Sequence, residues 1–297
     1  MKKIKLGIAP IGWTNDDMPD LGAEISFEQC IGEMSKAGYQ GTEIGNKYPK
    51  EPRKLKVKLA EVGLVIANCW HSTFILTQPF EQVEASFRDT CKRLSILGAK
   101  VIGVSEQSYS IQGTDKSIFD KKYVMCDAQW DKLAKGLNKL GTIAGEYGIT
   151  LAFHHHMGTV VQSEQEIDML MEKTDAKKVY LLYDSGHAVY AGTDYIKVVQ
   201  KYISRIAHIH LKDIRSKVIE KVRAEKLSFL QGVRLGTFTV PGDGQLDFEP
   251  IFEIVKKSGY TGWLLVEAEQ DPAVAEPLRY ATIAKKYIDN LMEKYDL

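Results

Sequence analysis

Histidines and carboxylates collect at the ends of the short apolar segments of this sequence, where they could act together. All seven histidines lie at or near such ends. The ionisable side chains concerned are Glu43, His71, Glu106, His154, His155, His156, Asp184, His187, His208, His210, Lys212, Glu267 and Glu269. Imidazole and carboxylate groups in one place suit Mn, Fe, Co, Ni or Zn, and they also accommodate Mg. Without a metal, so many buried ionisable groups would be costly.

The spacing of these residues puts several of them on the same face of a strand. Side chains alternate between the two faces, so His208, His210 and Lys212 point the same way. Two further pairs share a face, His154 with His156 and Glu267 with Glu269. An inward set from neighbouring strands can therefore converge on one point. A lone strand histidine is more often a structural residue than a ligand, so the metal prediction rests on the set.

Three of the ionisable residues have alternative structural interpretations. His155 should point to the opposite face of its strand from His154 and His156 if the strand is regular. Glu106 could serve only a loop. Glu269 could pair with an arginine such as Arg279.

Eight short apolar runs must position these side chains, and each is followed by polar or glycine-rich residues and a helical stretch. The runs are 4–10, 41–45, 64–70, 100–106, 149–156, 179–186, 205–213 and 263–269. Runs apolar on both faces and separated by helices indicate parallel strands. Eight such units predict an α/β protein, a (β/α)8 TIM barrel forming a single domain over 1–297. Active groups then lie at the C-terminal ends of the strands.

Helical periodicity is clear over 26–39, 80–99 and 127–148, the last predicted to start with Asp127 as its N-cap and to end at Gly148. The segment 214–236 alternates charged and apolar residues at helical spacing. It predicts an extra helical insertion that covers the barrel mouth or makes a subunit contact, with a plain solvated helix as the alternative. No dinucleotide-binding or P-loop motif follows the first or fourth strand.

Composition excludes several classes of protein. The 297 residues include 39 basic and 39 acidic side chains, so general attraction to nucleic acid or anionic membranes is not expected. No apolar stretch approaches the roughly 18 residues of a membrane span, which favours a cytoplasmic protein. The four cysteines form no CxxC pair and are predicted to be reduced and buried. A homo-oligomer is compatible with the sequence.

Several motifs resemble a known superfamily. They are YDSGH (183–187), HIHLKD (208–213), PGDGQLDF (241–248) and GWLLVEAE (262–269). Together they are similar to the xylose-isomerase-like barrels, which include sugar isomerases, keto-sugar epimerases and dehydroshikimate dehydratases. Within that superfamily, GIAPIGWTNDDMP (7–19), TEIGNKYP (42–49), FHHHMGT (153–159) and VEAEQDP (266–272) resemble the inosose dehydratases of myo-inositol catabolism nearly end to end.

The resemblance implies a set of metal ligands. In the superfamily, Glu, Asp, His or Gln, and Glu from strands five to eight hold the metal. By motif, the last three correspond to Asp184, His210 and Glu267. The first falls on His154 instead of glutamate, and His156 or water could fill that place. The resemblance also implies Mn2+ or Co2+, and glutathione, for which the sequence itself gives no rationale.

The resemblance further implies that 2-keto-myo-inositol (scyllo-inosose) is converted to a trihydroxycyclohexane-1,2-dione. A base would remove the α-proton, giving a metal-bound enediolate, and an acid would help the β-hydroxyl to leave. The candidate acids and bases are Glu43, His71, His187 and Lys212, and Lys212 could instead stabilise the oxyanion. The candidate substrate contacts are Trp13, Trp70, His156 and Glu269, with a core role equally open for the two tryptophans.

Three other functions are compatible with the sequence besides the dehydratase that the resemblance implies. A sugar isomerase or epimerase would use the same site and the same first proton abstraction. A phosphodiesterase of the endonuclease IV type shares the barrel, but it needs three metals and a basic groove, and the neutral charge argues against it. A non-catalytic sugar-binding barrel would need no metal.

Overall fold

Eight parallel strands close into a barrel in the computed structural model, which describes residues 4–297. They are β1 (Ile4–Ile8), β2 (Gly41–Glu43), β3 (two segments, Val65–Asn68 and Trp70–Thr73), β4 (Val101–Glu106), β5 (Thr150–His154), β6 (Val179–Asp184), β7 (Ile206–Leu211) and β8 (Gly262–Val266). Neighbours pair in parallel, and Ile4 of β1 lies opposite Gly262 of β8, so the sheet closes. The predicted barrel is confirmed.

Strand β3 is the irregular one. Its first segment pairs with β2 and its second with β4. The interruption falls at Cys69, whose carbonyl oxygen still accepts a hydrogen bond from Gly103 N at 3.0 Å. The strand also runs on to Thr73, three residues beyond the predicted run.

Helices surround the barrel. They are α1 (Phe27–Lys36), α2 (Pro52–Glu61), α3 (Phe80–Leu97), α4 (Asp127–Glu146), α5 (Glu164–Lys173), α6 (Ser185–Tyr190), α7 (Tyr195–Tyr202), α8 (Ser216–Ala224), α9 (Phe229–Arg234), α10 (Glu249–Ser258) and α11 (Pro277–Lys294). Gly98 ends α3 in the left-handed conformation, as its position predicts. The prediction for the start of α4 was off by one residue, because Cys126 is the N-cap and Asp127 is the first helical residue.

The insertion at 214–236 contains two short helices where the sequence predicted one. Helix α8 ends before Lys226, which has a positive φ of 54°, and Ser228 caps α9. Val222, Phe229 and Val233 are fully or almost fully buried, so the plain solvated helix is wrong. The insertion packs on loops that follow β1 and β4 at the mouth of the barrel. The contacts are an Arg234–Asp20 ion pair and a 2.9 Å backbone bond from Ile118 N to Leu227 O.

The apolar core lies mainly between the strands and the helices. Small layers also fill the lumen, one formed by Ala9, Ala67 and Leu265 and another by Val101, Ala152 and Leu182. None of the helices in residues 4–297 is long and apolar enough to cross a membrane.

The cysteines are all free. Cys30, Cys69 and Cys91 are buried as predicted. Cys126 is exposed, contrary to the prediction, because it caps α4 at the surface.

Two glycines of α4 allow a matched test of this packing. A Cβ at Gly141 would lie 2.3 Å from the carbonyl oxygen of Lys178, whereas a Cβ at Gly145 would meet nothing within 4 Å. We expect Gly141→Ala to destabilise the protein by about 1–3 kcal/mol through overpacking. Gly145→Ala should stabilise it by up to about 1 kcal/mol through helix propensity. Urea unfolding of both variants measures the difference, and equal effects would contradict the packing of α4 on the chain before β6.

Candidate metal centre

Four neighbouring strands bring potential ligands together at the mouth of the barrel. His154 and Asp184 are the last residues of β5 and β6, His210 lies one residue before the end of β7, and Glu267 directly follows β8. All four are buried. Because the carboxyl ends of adjacent parallel strands lie at one end of the barrel, these side chains converge. We call this set the ligand cluster.

The geometry of the ligand cluster points to a missing positive charge. Asp184 Oδ2 lies 3.5 Å from His154 Nε2 and 3.4 Å from His210 Nδ1. Glu267 Oε2 is in close contact with His210 Nδ1. All four of these atoms are buried and have no hydrogen-bond partner. Unpaired buried polar atoms are rare in folded proteins, so their convergence calls for a ligand between them.

A divalent metal fits this donor set. Two imidazole nitrogens and two carboxylate oxygens match the preferences of Mn, Fe, Co, Ni or Zn. The mouth also carries excess negative charge, since the carboxylates of Asp184, Glu267 and Glu269 face the single ammonium of Lys212. A divalent cation would reduce this excess, which is costly away from water.

Two of the ligands, Asp184 and His210, are held in place by hydrogen bonds from outside the ligand cluster. The Oδ1 atom of Asp184 accepts from the backbone N of His187 at 2.8 Å, which leaves Oδ2 for a metal. Glu43 Oε1 accepts from His210 Nε2 at 2.9 Å and from Asn68 Nδ2 at 2.8 Å. A carboxylate on one ring nitrogen of a histidine fixes the ring and leaves the other nitrogen to bind metal. Glu43 therefore presents His210 through Nδ1.

The pKa values of two carboxylates, Glu43 and Asp184, lie below their usual range. Burial alone would raise the pKa of Glu43, but the neighbouring His210 and His208 outweigh burial and hold it well below its usual range. Burial would likewise raise the pKa of Asp184, but Lys212 and His187 bring it well below the usual range. Both carboxylates are thus available as anions.

Lys212 is the counterion of this region. Its Nζ is fully buried and lies 2.9 Å from Glu269 Oε1, 3.2 Å from Glu267 Oε1 and 3.5 Å from Asp184 Oδ2. Burial by itself would lower the pKa of Lys212, but the three carboxylates outweigh it and raise the pKa above the usual value. Glu269 therefore pairs with Lys212, and the alternative pairing with Arg279 is wrong.

A second group of potential ligands lies beside the first. One atom each from His156, His187 and Glu269 falls within 4.8 Å of the others. The ammonium of Lys212 already occupies this group, since Nζ is 3.0 Å from His187 Nε2. Burial, then His154 and Lys212, lower the pKa of His156, whereas burial and Glu267 raise that of Glu269 to about 7. In this rear cluster (His156, His187, Lys212 and Glu269), the ammonium of Lys212 lies against the carboxylate of Glu269.

The two clusters differ in which histidine of β5 and the residues after it they contain, His154 or His156. His154 lies with Asp184 and His210, within 4.8 Å, whereas His156 belongs to the rear cluster. His156 Nδ1 is also 2.9 Å from the carbonyl oxygen of Met157. The structure therefore favours His154 over His156 as the residue in the position of the usual glutamate.

A cavity of about 170 Å³ opens beside the ligand cluster. The predicted site residues that line it are Glu43, Trp70, His156, His210, Glu267 and Glu269. Trp70 forms a half-exposed wall whose ring meets His154 and His156 edge-on at 5.4 and 5.6 Å. His187 and Lys212 are fully buried behind this lining and do not reach the cavity.

Two predicted site residues lie elsewhere. His71 falls within β3, and the alternation that brings Trp70 and Ser72 to the cavity turns His71 outward, where Nδ1 is 2.9 Å from Thr90 Oγ1 of α3. Trp13 is buried in the outer core, and its indole Nε1 donates to Glu33 Oε2 at 2.7 Å. Neither contacts the cavity, so the structure gives His71 no acid–base role and Trp13 the core role.

His155 and Glu106 have structural roles. The Nε2 atom of His155 accepts from Asp184 N at 3.2 Å, as its place on the outward face suggests. The carboxylate of Glu106 accepts from the backbone N of Ile75 at 3.0 Å and of Leu76 at 3.3 Å. Glu106 thus holds a loop, which was one of its two interpretations.

Several cavity residues escaped the sequence analysis. They are Asp16, Asp17, Ser72, Gln107 and Gln112. A signal for most of them exists, because Asp16 and Asp17 follow the first strand closely and Gln107 follows the fourth. Gln112 lies within the long segment between β4 and α4, and long connections in a barrel are often functional.

Comparison with known proteins agrees with this architecture. The Xylose isomerase-like TIM barrel family matches residues 31–290, so the chain belongs to that family. An inosose dehydratase of Clostridium perfringens (strain 13 / Type A) is 58% identical over 286 residues, covering 96% of each chain. An inosose dehydratase of Geobacillus thermodenitrificans (strain NG80-2) is 56% identical over 287 residues, again covering 96% of each. Within the family, the chain therefore groups with the inosose dehydratases.

A solved structure shares the fold at much lower identity. The IolI protein, described with a binding zinc atom, superposes with a TM-score of 0.71 and 16% identity. The match covers 98% of this chain and 99% of that one. At this identity the likeness establishes the barrel and nothing about its ligands.

The role of Glu43 can be tested by metal binding. We expect Glu43→Ala to weaken Mn2+ binding about 10- to 100-fold, because His210 loses the partner that fixes its ring. Isothermal titration calorimetry measures the affinity. Glu33→Ala is the control, since that carboxylate bonds Trp13 away from the cavity and should leave the affinity unchanged. Equal affinities in wild type and Glu43→Ala would refute the orienting role.

Proposed function

We propose that this protein is a metal-dependent inosose dehydratase that eliminates water from 2-keto-myo-inositol to give a trihydroxycyclohexane-1,2-dione. The observation that carries the proposal is the set of four unpaired ligand atoms beside a small cavity. It occurs in a chain that is 58% identical, nearly end to end, to an inosose dehydratase. The cavity suits a small polar ring, and the ligand cluster suits a ketone that must lose an α-proton.

We propose that His154, Asp184, His210 and Glu267 hold Mn2+ or Co2+. The bound ion would act as a Lewis acid on the ketone and its neighbouring hydroxyl, which makes the α-proton easier to remove. The unpaired buried atoms of these residues and the negative charge around them support the assignment.

Glu269 is our candidate for proton transfer. It lines the cavity, and Lys212 engages its Oε1 atom, which leaves Oε2 for the substrate. The proton that Glu269 takes from the α-carbon is the one that the β-hydroxyl needs to leave as water. One carboxylate can therefore serve both steps, and the enol that remains ketonises to the dione.

The other predicted catalytic residues take supporting roles in this proposal. Lys212 holds Glu269, and His187 in turn contacts Lys212 at 3.0 Å. Glu43 orients His210 and keeps its carboxylate committed to that bond. Trp70 offers an apolar wall to the C–H face of the ring.

Three further expectations stay predictions. They are a requirement for glutathione, a cytoplasmic location and a homo-oligomeric state.

The proposed reaction can be tested directly. Protein stripped with a chelator is incubated with scyllo-inosose, with and without Mn2+, while the ultraviolet absorbance of the dione is followed. We expect dione only when Mn2+ is present, and none from Asp184→Asn, which loses a charged ligand. Isomerisation of a ketohexose without dione from inosose would show a sugar isomerase instead. Turnover by Asp184→Asn with unchanged metal content would overturn the ligand assignment.

The role of Glu269 gives a second prediction. Replacing Glu269 by Gln should lower kcat by about 10²–10⁴-fold, because the proton acceptor is lost while the shape is kept. Bound Mn2+ should remain near one ion per chain by elemental analysis. Glu253→Gln, an exposed change on α10, is the control and should keep full activity. A Glu269→Gln enzyme with wild-type kcat would move proton transfer to another residue.

A further inference from the structure

A set of uncharged and acidic side chains lines the cavity from elements that carry none of the metal ligands. This polar rim consists of Asp16, Asp17, Ser72, Gln107 and Gln112. It comes from β3 and from the segments after β1 and β4, whereas the ligand cluster comes from β5 to β8. None of the rim residues belongs to the ligand cluster or to the rear cluster.

Two residues of the rim are joined across the fold. Gln112 Nε2 donates to Asp17 Oδ2 at 3.0 Å, although the residues are 95 positions apart in the chain. The Oδ1 atom of Asn15 accepts from the backbone N of Asp17 and of Met18, both at 2.9 Å, which fixes the turn that presents Asp17. The pair is therefore held in place before any ligand arrives.

Gln112 has an acceptor without a hydrogen-bond partner among residues 4–297. The residue is 8% exposed, and the atom concerned, Oε1, is buried. The orientation of the amide is set by Asp17, because turning it over would place the amide oxygen against the carboxylate. A buried carbonyl oxygen at the edge of a cavity lacks a donor, and a hydroxyl group supplies one.

The metal centre cannot recognise the whole of the proposed substrate. The reaction needs only the ketone, the hydroxyl beside it and the β-hydroxyl. The three remaining hydroxyls of scyllo-inosose must be recognised by other groups if the enzyme is to prefer a fully hydroxylated ring. A site built to hydrogen-bond a hydroxyl discriminates strongly against an analogue that lacks it.

We propose that Asp17 and Gln112 form a hydroxyl-recognition pair that selects fully hydroxylated cyclohexanones over rings lacking the distal hydroxyls. The inference rests on the proposed function for the identity of the ring. Gln112 Oε1 accepts one substrate hydroxyl, and the carboxylate of Asp17 fixes the amide and accepts a second. The pair determines specificity and does not contact the reacting carbons.

The test compares two substrates. The kcat/KM is measured for scyllo-inosose and for 2,3-dihydroxycyclohexanone, which keeps the reacting groups but lacks three hydroxyls. Gln112→Leu should lower kcat/KM for scyllo-inosose about 10- to 100-fold, since one hydrogen bond is lost. It should change kcat/KM for the truncated ring less than about threefold. Gln82→Leu makes the same change at an exposed position on α3 and should affect neither substrate.

A binding measurement separates this inference from the proposed reaction. Stabilisation of the Mn2+-loaded protein by myo-inositol, which cannot react, is followed by thermal unfolding. If Gln112→Leu abolishes the stabilisation but wild type forms no dione, the recognition pair stands and the dehydratase proposal fails. If dione forms and Gln112→Leu changes both substrates equally, or neither, the recognition pair is wrong. Asp17→Asn gives a second variant should Gln112→Leu fail to fold.

Discussion

The ends of β5 to β8 bring negative charge and buried ligand atoms without hydrogen-bond partners to one place. The other residues of the site are arranged around this set. His154, Asp184, His210 and Glu267 each place a buried atom without a partner at the same spot. Buried polar atoms without hydrogen-bond partners are unfavourable in a protein interior. In the proposed function a divalent ion would bind all four atoms at once, and the proposed chemistry depends on that ion.

The surrounding residues make that arrangement stable and directional. Lys212 neutralises part of the charge from a fully buried position and keeps Glu269 beside the cavity. Glu43 fixes His210 by its Nε2 atom, and the start of α6 fixes Asp184 by its Oδ1 atom. A substrate bound in the cavity would therefore face charged groups that are already in position, as electrostatic catalysis requires. The polar rim adds recognition on top of this without disturbing the charges.

The barrel could be predicted from sequence because strands buried on both faces give short continuous apolar runs, and eight such runs alternate with helical segments. The same alternation put His208, His210 and Lys212 on one face, and the structure agrees. His71 differs from the prediction because β3 runs on to Thr73, so that His71 lies within the strand and the alternation turns it outward. The Asp17–Gln112 contact joins residues 95 positions apart, and no local pattern encodes such a pairing.

The central claim is that the ligand cluster binds a divalent ion, and anomalous X-ray diffraction from Mn2+-loaded crystals tests it most directly. One anomalous peak is expected, bonded to His154 Nε2, Asp184 Oδ2, His210 Nδ1 and Glu267 Oε2. A peak in the rear cluster at His156 and His187, or the absence of any peak in crystals grown with saturating Mn2+, would contradict it.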